Sequence, residues 1–286
     1  MNTVAMYVAY MLAGALSGLL SGLFGIAGGL IMVPTLLVCF AWTGVAADAI
    51  GPSALGTSLA AILFTNGLSS WFNHRQKALR EPFSRSARFL SVALGLGVTA
   101  GTVFSTALPR TPLIVCIAVL QAALSAWLMR STFFQPAREA TTSPLAAQDR
   151  LPPWSSRAVM ATTGFLSAVG GTGGSSLLVP FLRSQGIDQR ESTAFATYLS
   201  CIVGAAGFIG YGLLAKPHTP LEQAIGYVHV PALVCMVAGS VLLVRLGTQL
   251  SGRIRPVVLT RSFCVLLMFS ASRMLLPLLA YTPSMS

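Results

Sequence analysis

The sequence predicts an all-α, polytopic integral membrane protein made of two inverted repeats, each a glycine-broken re-entrant hairpin followed by three transmembrane helices. Three observations predict it: an apolar composition, a glycine-rich pattern that occurs twice, and the placement of the basic residues. Of 286 residues, 54% are hydrophobic and only 9% charged, with a mean hydropathy of +0.75. Soluble domains carry about a quarter charged residues, so a folded water-soluble domain of any size is excluded.

A helical span needs about 20 apolar residues. Stretches free of Asp, Glu, Lys and Arg cover 1–47, 49–73, 89–109, 111–129, 158–182, 192–215 and 223–244, and another runs from about Pro256 to Tyr281, interrupted by Arg261 and Arg273. No Lys or Arg precedes the first stretch, so it lacks the basic region of a secretory signal peptide and is expected to stay in the fold. Cys39, Cys116, Cys201, Cys235 and Cys264 all lie in apolar stretches without CxxC spacing. They read as small apolar residues, not as disulfides or metal ligands.

Gly18-x-x-Ser21-x-x-x-Gly25-x-x-Gly28, followed by Val33-Pro34, recurs without a gap as Gly164-x-x-Ser167-x-x-x-Gly171-x-x-Gly174, followed by Val179-Pro180. Ala54-x-Gly56-Thr57-x-Leu59 then matches Ala194-x-Ala196-Thr197-x-Leu199, and Ala100-Gly101-Thr102-Val103 matches Ala238-Gly239-Ser240-Val241. The chain is thus a tandem duplication: a first repeat over 1–134, a linker over 135–157 and a second repeat over 158–286. The linker carries Pro136, Pro144, Pro152 and Pro153 among Ser, Thr, Ala and Gln, a composition expected to stay irregular and exposed.

The net charge of +11 would point to nucleic acid in a soluble protein; here it reports topology, because basic loops mark the cytoplasmic side. Arg75, Lys77, Arg80, Arg85 and Arg88 place the loop 74–88 inside. Eight simple crossings would then put Arg183, Arg190, Arg245, Arg253, Arg255 and Arg261 outside. If 4–42 and 158–186 instead enter, turn at their glycines and leave on the same side, those six join Arg130, Arg138, Arg150 and Arg157 inside. Only Arg110 and Lys216 remain outside, with Arg273 in the membrane. Three crossings per half invert the second half, as in many secondary transporters. Length agrees, since 4–42 as one helix would measure about 58 Å against a hydrocarbon core of about 30 Å. Gly25, Gly28 and Gly29 are the cheapest place to break it.

Non-helical backbone at membrane depth points to an internal site. Beyond each break a new helix is expected, at Leu30 and at about Ser176, with free N–H groups and a positive dipole end that favour an anion. Gly171, Thr172, Gly173, Gly174, Ser175 and Ser176 add hydroxyl donors. The plainer reading is that these glycines only let helices pack closely. Thr57, Ser58, Thr65 and Asn66, with Thr197, Tyr198 and Ser200, form the other polar group, although Ser and Thr often satisfy their own helix backbone. The repeat places Thr57 and Thr197 symmetrically about the midplane. Trp71 and Tyr211 also correspond, and near segment ends both read as interfacial aromatics.

Arg273 is the basic residue inside an apolar run, a candidate for anion binding unless it snorkels to the interface. His229 is the proton-coupling candidate, against a structural, hydrogen-bonded histidine. Every acidic residue falls in a loop or at a segment end, which leaves no mid-membrane carboxylate for a cation relay. No paired carboxylates, HExxH or GxSxG motif is present, so the chain reads as a non-enzyme with no cofactor and no metal.

The duplicated glycine pattern with its downstream proline, at 22–34 and 168–180, together with Gly56-Thr57-Ser58 and His74, resembles the TauE/SafE family, also described as sulfonate-uptake permeases, over nearly the whole chain. The resemblance implies transport of a sulfur oxyanion or organosulfonate, such as sulfite, sulfoacetate or an arylsulfonate, across a bacterial inner membrane. The residues by themselves reach only an anion. One departure is Ala196-Thr197-Tyr198 where the first half has Gly56-Thr57-Ser58, a phenol that narrows the pocket. The competing readings are an anion channel, whose pore also uses backbone donors, and a non-transporting membrane scaffold.

Overall fold

The computed structural model describes residues 3–24, 28–43, 45–75, 85–134, 153–184, 189–217 and 223–251, with Val265, Met268 and Ser272 beyond them. Gly25, Arg273, the linker up to 152 and the side chain of His74 lie outside the described residues. Nine α-helices are present among the described residues: α1 Thr3–Phe24, α2 Gly29–Trp42, α3 Ile50–Arg75, α4 Arg85–Ala107, α5 Arg110–Phe134, α6 Pro153–Gly170, α7 Ser175–Ser184, α8 Gln189–Phe208 and α9 Val230–Ser251. A π-helical turn, Ile209–Leu214, extends α8, and a two-stranded hairpin, β1 Ala224–Ile225 with β2 Val228–His229, precedes α9.

The chain is a polytopic α-helical membrane protein. Val4–Gly22, Leu90–Ala107, Arg110–Trp127, Glu191–Leu214 and Val230–Gly247 are each long and apolar enough to cross a bilayer. The α3 helix is more polar, and its surroundings explain why that is tolerated: residues 50 to 62 are all buried, so protein rather than lipid faces them.

Glycines set the close helix contacts and reveal chain direction. Gly14 abuts the Met236 backbone, Gly18 abuts Ser240, and Gly247 abuts Leu19, so α1 and α9 run parallel. Gly97 abuts Ala161 and Gly101 abuts Phe165, so α4 and α6 also run parallel. By contrast Gly204 packs on Leu63, Gly207 on Leu59, and Gly56 on Tyr211. The repeat mates α3 and α8 are therefore antiparallel.

Both glycine-rich segments fold back at their glycines. Gly28 abuts Ser17 while the Tyr10 and Phe40 rings pack edge-on at 6.3 Å, so α2 returns along α1. A β-carbon on Gly174 would lie 3.3 Å from Ser167 Oγ and 3.8 Å from Thr163, so the second break folds back on α6, but α7 then packs against α8 and α5 rather than along α6. The new helices begin at Gly29 and Ser175, each one residue before its expected start.

These directions sort the helix ends. Arg75, Arg85, Arg88, Arg130, Arg157, Arg183, Arg190 and Arg245 belong to helix ends on one side of the molecule, and Arg110 and Lys216 to the other.

The packing role of these glycines makes a direct expectation. Gly239→Val should prevent a monodisperse fold, because any side chain there meets the Met11 carbonyl on α1. Gly95→Ala, with nothing within 4 Å, should instead raise stability by about 0.5–1 kcal/mol through helix propensity. Thermal melting in detergent of both variants checks the contrast.

Candidate functional site

The two breaks meet inside the protein. Gly29, at the start of α2, abuts the carbonyl oxygen of Gly171 in the second break. A β-carbon on Gly171 would in turn lie 2.8 Å from Ser58 Oγ and 3.1 Å from Leu55 on α3, so the second break is wedged between α2 and α3. Its turn is made by Gly171, Gly173 and Gly174 with φ of 63°, 73° and 83°, left-handed backbone that a side chain strains.

Each break caps the helix that follows. The Gly28 carbonyl accepts from the N–H groups of Ile31 at 3.1 Å and Met32 at 3.3 Å, and the Gly174 carbonyl from Leu177 at 3.1 Å and Leu178 at 3.0 Å. The N–H groups of Gly29, Leu30, Ser175 and Ser176 precede the first intrahelical bonds of α2 and α7, as helix geometry requires. Two positive dipole ends thus face the junction of the breaks.

The side chains there are buried and under-bonded. Ser167, Thr172, Ser175 and Ser176 are all 0% exposed, and the hydroxyls of Ser167, Thr172 and Ser176 have no protein partner. Ser200 Oγ and Asn66 Nδ2 are likewise buried without a partner, while Asn66 Oδ1 accepts from Ser21 at 3.4 Å. A buried hydroxyl left unpaired costs about 1–3 kcal/mol, so such a cluster calls for a polar ligand or water.

Other sequence-derived candidates behave differently. Ser58 donates to the Leu55 carbonyl at 2.9 Å and Thr197 to the Thr193 carbonyl at 2.7 Å, so both hydroxyl protons are used by their own helices. Tyr198 is half-buried. Thr57 accepts from the His229 backbone N–H at 3.0 Å. The structure does not bring Thr57 and Thr197 together. In the antiparallel α3–α8 pair Gly56 lies opposite Tyr211, so Thr57 stands about 13 residues, or about 20 Å, along α8 from Thr197. One small ion cannot touch both.

His229 Nδ1 accepts from the Ala232 N–H at 3.2 Å and so caps α9. Its ring packs 5.4 Å from Phe40 and 6.3 Å from Tyr10, and burial pushes its pKa down; all three favour the neutral imidazole. Trp71 is 47% exposed, as an interfacial aromatic should be. Tyr211 is not: it is 0% exposed and donates to the Ala168 carbonyl at 3.2 Å. Its place near a segment end disguised a residue that reaches inward. The described cysteines are free, and no group of metal-binding side chains occurs among the described residues.

Apolar spans wrapped around two helix breaks that meet within the protein define a polytopic membrane protein of the transporter class. Residues 10–274 match the family described as Sulfite exporter TauE/SafE, and the chain belongs to that family. It is similar to a probable membrane transporter protein of Haemophilus influenzae, 29% identical over 268 residues that cover 93% of this chain and 97% of the relative. A probable membrane transporter protein of Methanocaldococcus jannaschii is 26% identical over 234 residues, covering 82% of each chain. No solved structure gives a significant match.

Glycine substitutions at the breaks cannot separate binding from packing. A side chain at Gly28 overlaps Ser17, and one at Gly174 is strained by its φ of 83°, whatever the ion does. Thr172→Val is the discriminating change, because it removes only an unpartnered hydroxyl. Its melting temperature should equal or exceed wild type, by up to about 1–2 kcal/mol of stability, while transport affinity falls. A clear loss of stability would show that the hydroxyl serves the fold.

Proposed function

We propose that this protein is a secondary transporter that carries a small organic sulfonate or sulfur oxyanion, such as sulfite, sulfoacetate or an arylsulfonate, across a bacterial inner membrane. The observation that carries the reading is the convergence of two helix starts on a cluster of buried, unpartnered hydroxyls, in a chain of the sulfite exporter family. The substrate's oxygens would accept from the Thr172 and Ser176 hydroxyls and from the N–H groups of Ser176 and Gly29. These donors are neutral, which suits a monoanion better than a strongly hydrated dianion. Arg273 is proposed as an additional fixed charge on the path.

We read the two halves as inverted repeats about an axis in the membrane plane. The antiparallel run of α3 and α8, which are repeat mates, supports this, as does the collection of basic helix ends on one side, which we assign to the cytoplasm together with the linker. The hairpins then enter from opposite faces, and rocking of one half against the other would expose the breaks alternately. Burial of the whole hydroxyl cluster supports a carrier over an open pore. With no carboxylate in mid-membrane among the described residues to couple a cation, export is the simpler direction, since a monoanion gains about 2.3 kcal/mol per 100 mV on leaving a cell that is negative inside.

Proteoliposomes loaded with labelled sulfite or an arylsulfonate should show saturable efflux. Thr172→Val and Ser176→Ala should each weaken half-saturation at least about tenfold, since one hydrogen bond to a charged acceptor is worth about 1.5–3 kcal/mol. Linear, unsaturable conductance, or wild-type half-saturation in both variants, overturns the proposal. Topology is checked separately: cysteines at Ser143 and Gln185 should react only from the cytoplasmic side, and labelling of Gln185 from the outside would remove the second hairpin.

A further inference from the structure

We propose that Tyr211 is a positioning residue that couples an outer gate, the hairpin Gln223–His229, to the second break; the inference rests on reading that break as the substrate site. Four contacts carry it. The π-helical register makes the Ala215 N–H donate to the Gly210 carbonyl at 2.9 Å. In a regular helix that N–H would bond the Tyr211 carbonyl. The Tyr211 carbonyl is instead taken by the Tyr227 N–H of the hairpin, at 2.9 Å. Gly226, with φ of 59°, sits against the carbonyls of Tyr211 and Gly212, where a β-carbon has no room. The far strand is tied to α3 by the His229 N–H bond to Thr57 Oγ1.

The Tyr211 side chain completes the link. It passes Gly56, whose missing side chain leaves the space, and its hydroxyl donates to the Ala168 carbonyl near the end of α6, one of the terminal carbonyls that a helix cannot satisfy itself. The hairpin is thereby bonded to α3 and to the π turn, and the π turn to the residue that leads into the break. Tyr227 and Val228 are buried against these helices, on the side where Thr57 and Ser58 lead toward Gly171. Lifting the hairpin frees the Tyr211 carbonyl for Ala215. The π turn then relaxes to α register, which turns the Tyr211 side chain away from Ala168 and releases the break.

The test uses the full chain in proteoliposomes, with the native cysteines replaced and Ser58→Cys as reporter beside Gly171. The readout is the rate of labelling by a membrane-impermeant maleimide added outside. Tyr211→Phe, which removes only the hydroxyl, and Gly226→Ala, which lifts the hairpin, should each speed labelling about fivefold, one hydrogen bond's worth. The double variant should be little faster than either, because both cut one linkage. Where Gly226→Ala does not reconstitute as monodisperse protein, Thr57→Val replaces it by removing the acceptor for His229. Unchanged rates in the hairpin variant overturn the gate, and additive rates in the double variant overturn the coupling through Tyr211. Sulfite flux, measured alongside without the reporter, separates the two ideas: coupled labelling without flux of any sulfur oxyanion or sulfonate removes the substrate reading and leaves the gate standing.

Discussion

Backbone amides within a bilayer must be satisfied by protein or by water held inside it, and the rest of this structure is organised around two places where that demand is hardest to meet. A helix broken inside a membrane protein exposes N–H and C=O groups that lipid cannot bond. Here each break shields the other: the start of α2 at Gly29 rests on the carbonyl of Gly171. That contact requires the two segments to meet in the interior, beside the fully buried first half of α3. The parallel pairs α1–α9 and α4–α6 are closed by glycines against bare backbone.

The two halves share a glycine pattern, but not the chemistry at their breaks. Where the first break reads Gly25-Ile26-Ala27-Gly28-Gly29-Leu30, the second reads Gly171-Thr172-Gly173-Gly174-Ser175-Ser176. Thr172 occupies the position of Ile26, and Ser176 that of Leu30. Gly171 and Gly174 have counterparts in Gly25 and Gly28, but Gly173 corresponds to Ala27 and Gly28 keeps a right-handed φ of −65° where Gly174 has 83°, and the hydroxyls are concentrated in the second copy. If the halves are inverted repeats, as proposed, the frame would have two equivalent ways to tilt and would present one off-centre site first to one side and then to the other.

Much of this was legible in the sequence because the signals are local or additive. Hydropathy marked the spans, the duplicated glycines marked the breaks to within a residue, and summed basic residues marked the helix ends that the packing gathers on one side. What failed to show was spatial. Symmetry made Thr57 and Thr197 equivalent, and equivalence suggested a shared site; the antiparallel α3–α8 pair puts them at opposite ends of their contact. Tyr211 looked interfacial because distance along the chain was read as depth. The π turn that draws the adjoining segment inward has no period or composition that distinguishes it from the end of α8.

On the proposed reading of the junction as a carrier's substrate site, the use of neutral donors there follows from what a carrier has to do. A buried guanidinium without a partner is costly to desolvate, and an anion bound to it gains back that cost, so the complex is deep and slow to part. Hydroxyls and helix-start N–H groups are cheaper to leave unpaired, and each would contribute about 1.5–3 kcal/mol to a bound oxyanion. Three or four such bonds are enough to favour an oxyanion while keeping the well shallow enough to leave, the same balance that governs passage through selective pores. The described residues at the breaks fit that requirement: they offer many weak donors and no fixed charge.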